Sequence, residues 1–286
     1  MNERGKKDRE RGKLWRTFKR NKTALMGSAI ILAIIALALL APWISPHDPL
    51  AQNLRSRLKA PSQAYLLGTD EFGRDVLSRV LWGTRVSLTV GILSIGFGLL
   101  IGIAMGTIAG YRGGFADGII MRIVDVLLSF PVLISGILVV AILGTGMGKL
   151  ILTIGIVFVP RFARLAYGPT LAIKERDYVY SAQVIGAGTL RILTRYFLPN
   201  ILGDVLVAAT LWVGSAILTE AGLSFLGLGV PPPIPTWGNM IKTGIDYLTN
   251  APWLSVFPGI SIFVTVLSIN MIGDGLRDVT DPKLRI

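Results

Sequence analysis

Apolar residues gather in six long stretches, and charge is concentrated in the segments between them. Ala24–Ile44 carries no charge, and at a rise of ~1.5 Å per residue it reaches about 30 Å, the thickness of a bilayer hydrocarbon core. Pro42, Trp43 and Pro46 close it where an outer interface would lie. Val86–Tyr111 is also uncharged. Asp117–Ile142, a stretch that begins with Leu150–Pro160, Asn200–Leu223 and Trp253–Ile272 complete the set, with Pro131 kinking the third and Pro258 interrupting the last. The pattern predicts an all-α integral membrane protein with six transmembrane helices.

The polar segments between them have patterns of their own. In 45–85, Val76, Leu77, Val80 and Leu81 fall at helical spacing, which predicts an amphipathic helix lying on the membrane or on other helices. From Lys174 to Pro199 the spacing of Tyr178, Ala182 and Ile185 predicts a short helix with one apolar side, ended by Gly186 and Gly188. A second short helix follows, with Leu190, Leu193 and Phe197 on one side and Arg191 and Arg195 on the other, until Pro199 restricts the chain. The expected divisions are a basic tail (1–23), the first span (24–44), an extracytoplasmic segment (45–85), the five remaining spans with the 174–199 loop (86–274), and a short tail (275–286).

Composition supports the membrane reading: 52% of the 286 residues are hydrophobic and only 16% charged. The excess of 29 basic over 17 acidic residues does not point to nucleic acid, because ten of the basic residues precede position 23, just before the first apolar stretch. That is the positive-inside signature, and with six spans it puts both termini in the cytoplasm. The first apolar stretch is too long for a cleavable leader and is expected to remain as an anchor. Without cysteine, and with His47 as the one histidine, the chain has neither disulfides nor a thiolate or imidazole metal cluster. No catalytic nucleophile set is present.

Within the stretches, Gly98, Gly102, Gly106 and Gly110 recur every fourth residue and predict a line of close helix packing. Arg122 and Asp125 share a helix face and are expected to pair. Gly144–Lys149 imitates a phosphate loop but has Leu143 and Leu150 at the defining positions, so it reads as a turn. Arg161 and Arg164 sit near an inner leaflet, either as snorkelling residues or on a transport path. Glu220 follows the uncharged run Val205–Thr219; it and Asp125 are path candidates, the other reading of Glu220 being bonds to backbone groups near the outer interface.

The 174–199 segment resembles the cytoplasmic coupling loop of permease subunits in ATP-binding-cassette importers, with Ala182, Gly186, Leu198 and Pro199 in register and Tyr180, Ser181 and Tyr196 replacing the family's Glu, first Ala and Ile. Gly68-Thr69-Asp70, two residues, Gly73-Arg74-Asp75 is similar to the dipeptide, oligopeptide and nickel branch. The run from Glu220 to Pro233, then Pro235-Thr236-Trp237-Gly238, resembles the outer loop of that branch's second (C-type) permease and reads as a stiff, non-helical wall. The resemblance implies half of a translocation pathway for peptides or nickel chelates in a bacterial or archaeal plasma membrane. It implies as partners a homologous second permease, two cytoplasmic ATPases that bind ATP and Mg, and an extracytoplasmic substrate-binding protein. No cofactor is implied for this subunit. It also assigns ATPase coupling to Tyr178, Val179, Tyr180, Ser181, Ala182, Gly186, Ala187, Leu198 and Pro199. The alternative class is a self-contained ion- or proton-driven transporter, which needs several intramembrane acids or a repeated half.

Overall fold

The computed structural model describes residues 21–280, which form helices and loops with one isolated β-bridge, Thr69 to Asp75. Most of the basic tail expected at the start lies outside the described residues, as do Lys283 and Arg285. Helix α1 (Lys22–Ile44) starts where the Asn21 side chain accepts the Ala24 N–H at 3.0 Å. It is the outlying helix of the bundle, packed on the helices that start at Val76 and Trp253 and otherwise largely exposed.

The amphipathic helix expected before Arg85 and the span expected after it are one helix, α2 (Val76–Arg112, 37 residues). Asp75 caps it, accepting from the Ser78 N–H at 2.8 Å and the Ser78 hydroxyl at 2.6 Å. At ~1.5 Å per residue α2 is far longer than a ~30 Å hydrocarbon core, and its first turns carry the charges Arg79 and Arg85. Those turns meet residues 45–75, which fold around a buried ion cluster. Arg74 Nε donates to Asp70 at 2.6 Å and Arg79 Nε lies 3.4 Å from the same oxygen, which offsets the cost of burying charge. Burial first, and then the Asp70 charge, hold the nearby Glu71 carboxyl above its usual range. The Trp253 indole donates to the Thr69 carbonyl at 3.1 Å and ties this segment to the start of the last helix.

The third apolar stretch, expected as one span kinked at Pro131, is two helices, α3 (Gly114–Leu128) and α4 (Val132–Leu143), bent by 105°. Ser129 closes α3 through bonds to Asp125 and Val126 carbonyls, and Pro131 supplies no N–H to carry the helix on. Five helices among the described residues are long and apolar enough to cross a membrane, and the bent pair makes a sixth crossing if it acts as one span. After a turn at Gly144 and Gly146, both at positive φ, α5 (Met147–Lys174) runs to the polar loop, where α6 (Asp177–Val184) forms.

Pro199 does not end a helix. The run α7 (Thr189–Phe225) is continuous, because a π turn at Leu193–Phe197 shifts the pairing just before the proline, with the Leu198 N–H donating to the Leu193 carbonyl. Trp237 and Gly238, expected in a non-helical wall, instead open α8 (Trp237–Ile245). Thr236 caps α8, and the Trp237 indole is buried, donating to Val80 O at 3.3 Å. Helix α9 (Trp253–Thr280) absorbs Pro258 without a break and runs past Ile272 through Asp274, Arg277 and Asp278. The Asn21 amide donates to Asp278 at 3.0 Å, so the start of α1 and the end of α9 lie on the same side of the bundle. The main core lies where α2, α5 and α7 meet, around Val90, Ile95, Phe158, Phe162, Ile201 and Leu223.

Candidate functional site: the 174–199 loop and the helices that hold it

Three helices position the loop. The turn of α6 is closed by Gly186 N–H to Gln183 O and Ala187 N–H to Ala182 O, both at 2.9 Å, with Gly186 at φ +81°, where a Cβ would be strained. Val179 of α6 is buried with Ile192 and Phe197 against Ile173 of α5 and Tyr111 of α2, and Ala182, three residues further on, is buried as well. Tyr111 meets Phe197 edge-on at 5.5 Å, and Tyr178 stacks on Tyr196 at 6.0 Å. The apolar side expected from Tyr178, Ala182 and Ile185 is therefore split. Ala182 faces its own chain, whereas Tyr180, Val184, Ile185 and Leu190 are 69% to 81% exposed, and Tyr178 is half-exposed. Ser181 spends its hydroxyl on the Asp177 carbonyl at 2.8 Å. Leu198 is partly buried and Pro199 exposed, both within α7. The same loop exposes Arg176, Arg191 and Arg195 together with the acids Glu175 and Asp177.

The glycine line presses on α5 over its whole length. A Cβ on Gly98 would lie 3.0 Å from Gly155 O, on Gly102 2.6 Å from Val159 O, and on Gly110 2.8 Å from Thr170 Cγ2, while one on Gly106 would overlap the Ala163 backbone. Packing this close joins α2 and α5 into one stiff pair that ends at the loop.

Of the path candidates, Asp125 and Arg164 meet, Arg161 lies one turn from Arg164 on α5, and Glu220 stands apart from them. Glu220 is fully buried, and it accepts from the Ser87 hydroxyl at 3.0 Å and the Ser224 hydroxyl at 2.7 Å, not from the backbone groups expected. It thus joins α7 to α2. Asp125 pairs with Arg164 of α5 and not with its α3 neighbour Arg122 as expected, because α3 lies across α5 at that turn. One turn further on, the Tyr167 hydroxyl donates to Asp117 at 2.9 Å. Arg161 stands 5.3 Å over the Phe158 ring. The Asp70–Arg74–Arg79 cluster, legible in sequence only as a motif, closes on itself in the fold.

A bundle of membrane-length helices that carries a stiffly mounted loop with an unpartnered apolar face is built as the membrane-spanning part of a larger assembly. Comparison with known proteins gives the family. Residues 98–286 match the model described as binding-protein-dependent transport system inner membrane component, and residues 12–61 match the N-terminal TM domain of oligopeptide transport permease C. The chain belongs to this inner-membrane permease family, as a subunit of an ATP-binding-cassette importer. It is 44% identical to a glutathione transport system permease protein of Pectobacterium atrosepticum over 95% of this chain and 90% of that one. It is also 44% identical to a di/tripeptide permease of Pseudomonas aeruginosa (95% and 91%), and 42% identical to an oligopeptide permease of Bacillus subtilis (94% and 88%). In fold it is similar to a chain of the inward-facing MetNI methionine ABC transporter, with a TM-score of 0.58 at 19% identity, covering 72% of this chain and 98% of the other.

Proposed function

We propose that this subunit forms half of an inward path for small peptides and couples that path to ATP hydrolysis through the exposed face of α6. Peptide is the cargo named for the di/tripeptide and oligopeptide relatives, and glutathione is itself a tripeptide. Nickel chelates have no counterpart among those three. The path is completed by a homologous permease. Two cytoplasmic ATPases bind ATP and Mg, an extracytoplasmic binding protein delivers substrate, and both ends of this chain lie in the cytoplasm. One observation carries the reading: Tyr180, Val184, Ile185 and Leu190 project from a loop whose other side is fixed to α2, α5 and α7. An exposed apolar patch of this kind suits a partner groove with an apolar floor.

The test uses the reconstituted complex. In Ile185→Asp the new charge would be buried without a counter-ion on docking, at a cost of several kcal/mol. The subunit is expected to insert and pair as the parent does, while ATPase retention and substrate-stimulated hydrolysis fall. Parent-like retention and hydrolysis in that variant would remove α6 as the docking element. Ala182→Asp is the poorer probe, since Ala182 is buried within its own chain.

A further inference from the structure

One cavity stands apart from both the loop and the glycine line. It is an open cleft of about 810 Å³ near the start of α2, between the end of α1, residues His47–Leu50, Met147 at the start of α5, and Ile234 and Pro235. Its α2 wall is Trp82, Arg85, Val86 and Thr89, a single stripe at helical spacing. Two donors on that stripe lack an acceptor. The Trp82 indole N–H is buried without a partner, and the Arg85 guanidinium, 5.1 Å over the Trp82 ring, makes no ion pair among the described residues. Asp48 lines the same cavity and is not within ion-pair distance of Arg85; its carboxylate accepts only the Leu50 N–H, at 2.8 Å. Beyond the cavity the α2 stripe continues as Leu93, Gly96 and Leu100, exposed and uncharged.

A cation and an anion held apart by one cavity, above an open apolar wall, suit a ligand with three parts. These are an anion with several acceptor oxygens, a primary ammonium close by, and an apolar tail directed along α2. We infer that the cavity is a headgroup site for an aminophospholipid of the phosphatidylethanolamine type. Its phosphate accepts from Arg85 and the Trp82 indole, its ammonium donates to Asp48, and an acyl chain lies along Leu93, Gly96 and Leu100. A zwitterionic peptide shares the two charges but has no use for the apolar stripe. The inference rests on the membrane-permease reading and is independent of the cargo.

The test is native mass spectrometry of the whole importer complex taken from vesicles of phosphatidylethanolamine, phosphatidylglycerol and phosphatidylcholine in equal parts. The parent is expected to retain phosphatidylethanolamine selectively. Arg85→Gln and Trp82→Phe, the latter keeping the aromatic packing, are expected to lower that retention on the order of tenfold, the worth of one charge-assisted hydrogen bond. Asp48→Asn is expected to shift preference toward phosphatidylglycerol, which has no ammonium. Equal retention of all three lipids by the parent, or unchanged retention in both Arg85→Gln and Trp82→Phe, overturns the inference. So does a raised KM for a dipeptide in Asp48→Asn and Arg85→Gln with lipid retention as in the parent, which would make the cavity a peptide site. A parent complex that moves no peptide counts against the cargo alone, since lipid retention is read without substrate.

Discussion

Glu220 gives the clearest residue-scale test of structure against path. Among its hydroxyl partners, Ser87 comes from α2 and Ser224 from one turn further along α7, so the carboxyl acts as a pin between helices. Glu220→Leu is expected to leave those hydroxyls poorly matched and to cost about 1–3 kcal/mol, seen as a lower Tm of the complex in detergent. Glu220→Gln, which keeps an acceptor oxygen, is expected to stay close to the parent in Tm and in KM for peptide. A large KM change with Tm intact would put Glu220 on the path after all. Glu71 supplies a pH test. Burial raises its folded pKa above 4.5, so its protonated form is favoured in the folded state. That stabilising contribution is complete below pH 4.5 and is lost as pH rises through the raised value. Glu71→Gln is therefore expected to raise Tm at neutral pH, with the gain vanishing below pH 4.5; a gain that persists in acid would mean the effect is packing. From sequence alone, Glu220 stood out as a charge in an apolar stretch. Its partner Ser87 did not, because a hydroxyl distant in sequence has no local signature.

At the scale of elements, the α2–α5 seam and the α6 turn make opposite demands on their glycines. Gly102 is constrained by what it faces, since a side chain there meets the Val159 carbonyl and Phe162. Gly102→Leu is expected to separate the helices and abolish assembly, assayed as recovery of the intact complex. Gly186 is constrained by its own backbone: it sits at φ +81° and a Cβ there would meet nothing within 4 Å. Gly186→Asn, which tolerates that region, is expected to keep ATPase stimulation, and Gly186→Val to lose it, at a backbone cost of about 1–2 kcal/mol. Equal activity of the two variants would show that the turn does not need its φ. The seam was legible in the four-residue glycine spacing. The 105° break at Pro131 and the unbroken passage through Pro199 were not, because a proline's local rule is the same in both places. Only the π turn and the neighbouring helices separate the two outcomes.

For the whole molecule, the proposed orientation has a direct test. Thr189 and Gln52 are both exposed, one in the 174–199 loop and one in the segment before α2. A cysteine at Gln52 is expected to react with an impermeant thiol reagent in whole cells, and one at Thr189 to react only after permeabilisation. Labelling of Thr189 from outside would invert the topology and take the ATPase reading with it. The sequence by itself determined the membrane class, the apolar stretches and the loop that interrupts them. Transfer of apolar residues into lipid depends on local composition and length, and both are written along the chain. It also carried the family, in short motifs. Tertiary structure decided which face of α6 is free, which acid pairs with which cation, and that Trp237 opens a helix. Those outcomes depend on contacts between segments far apart in sequence, where the energy of a side chain is set by what the rest of the fold places against it.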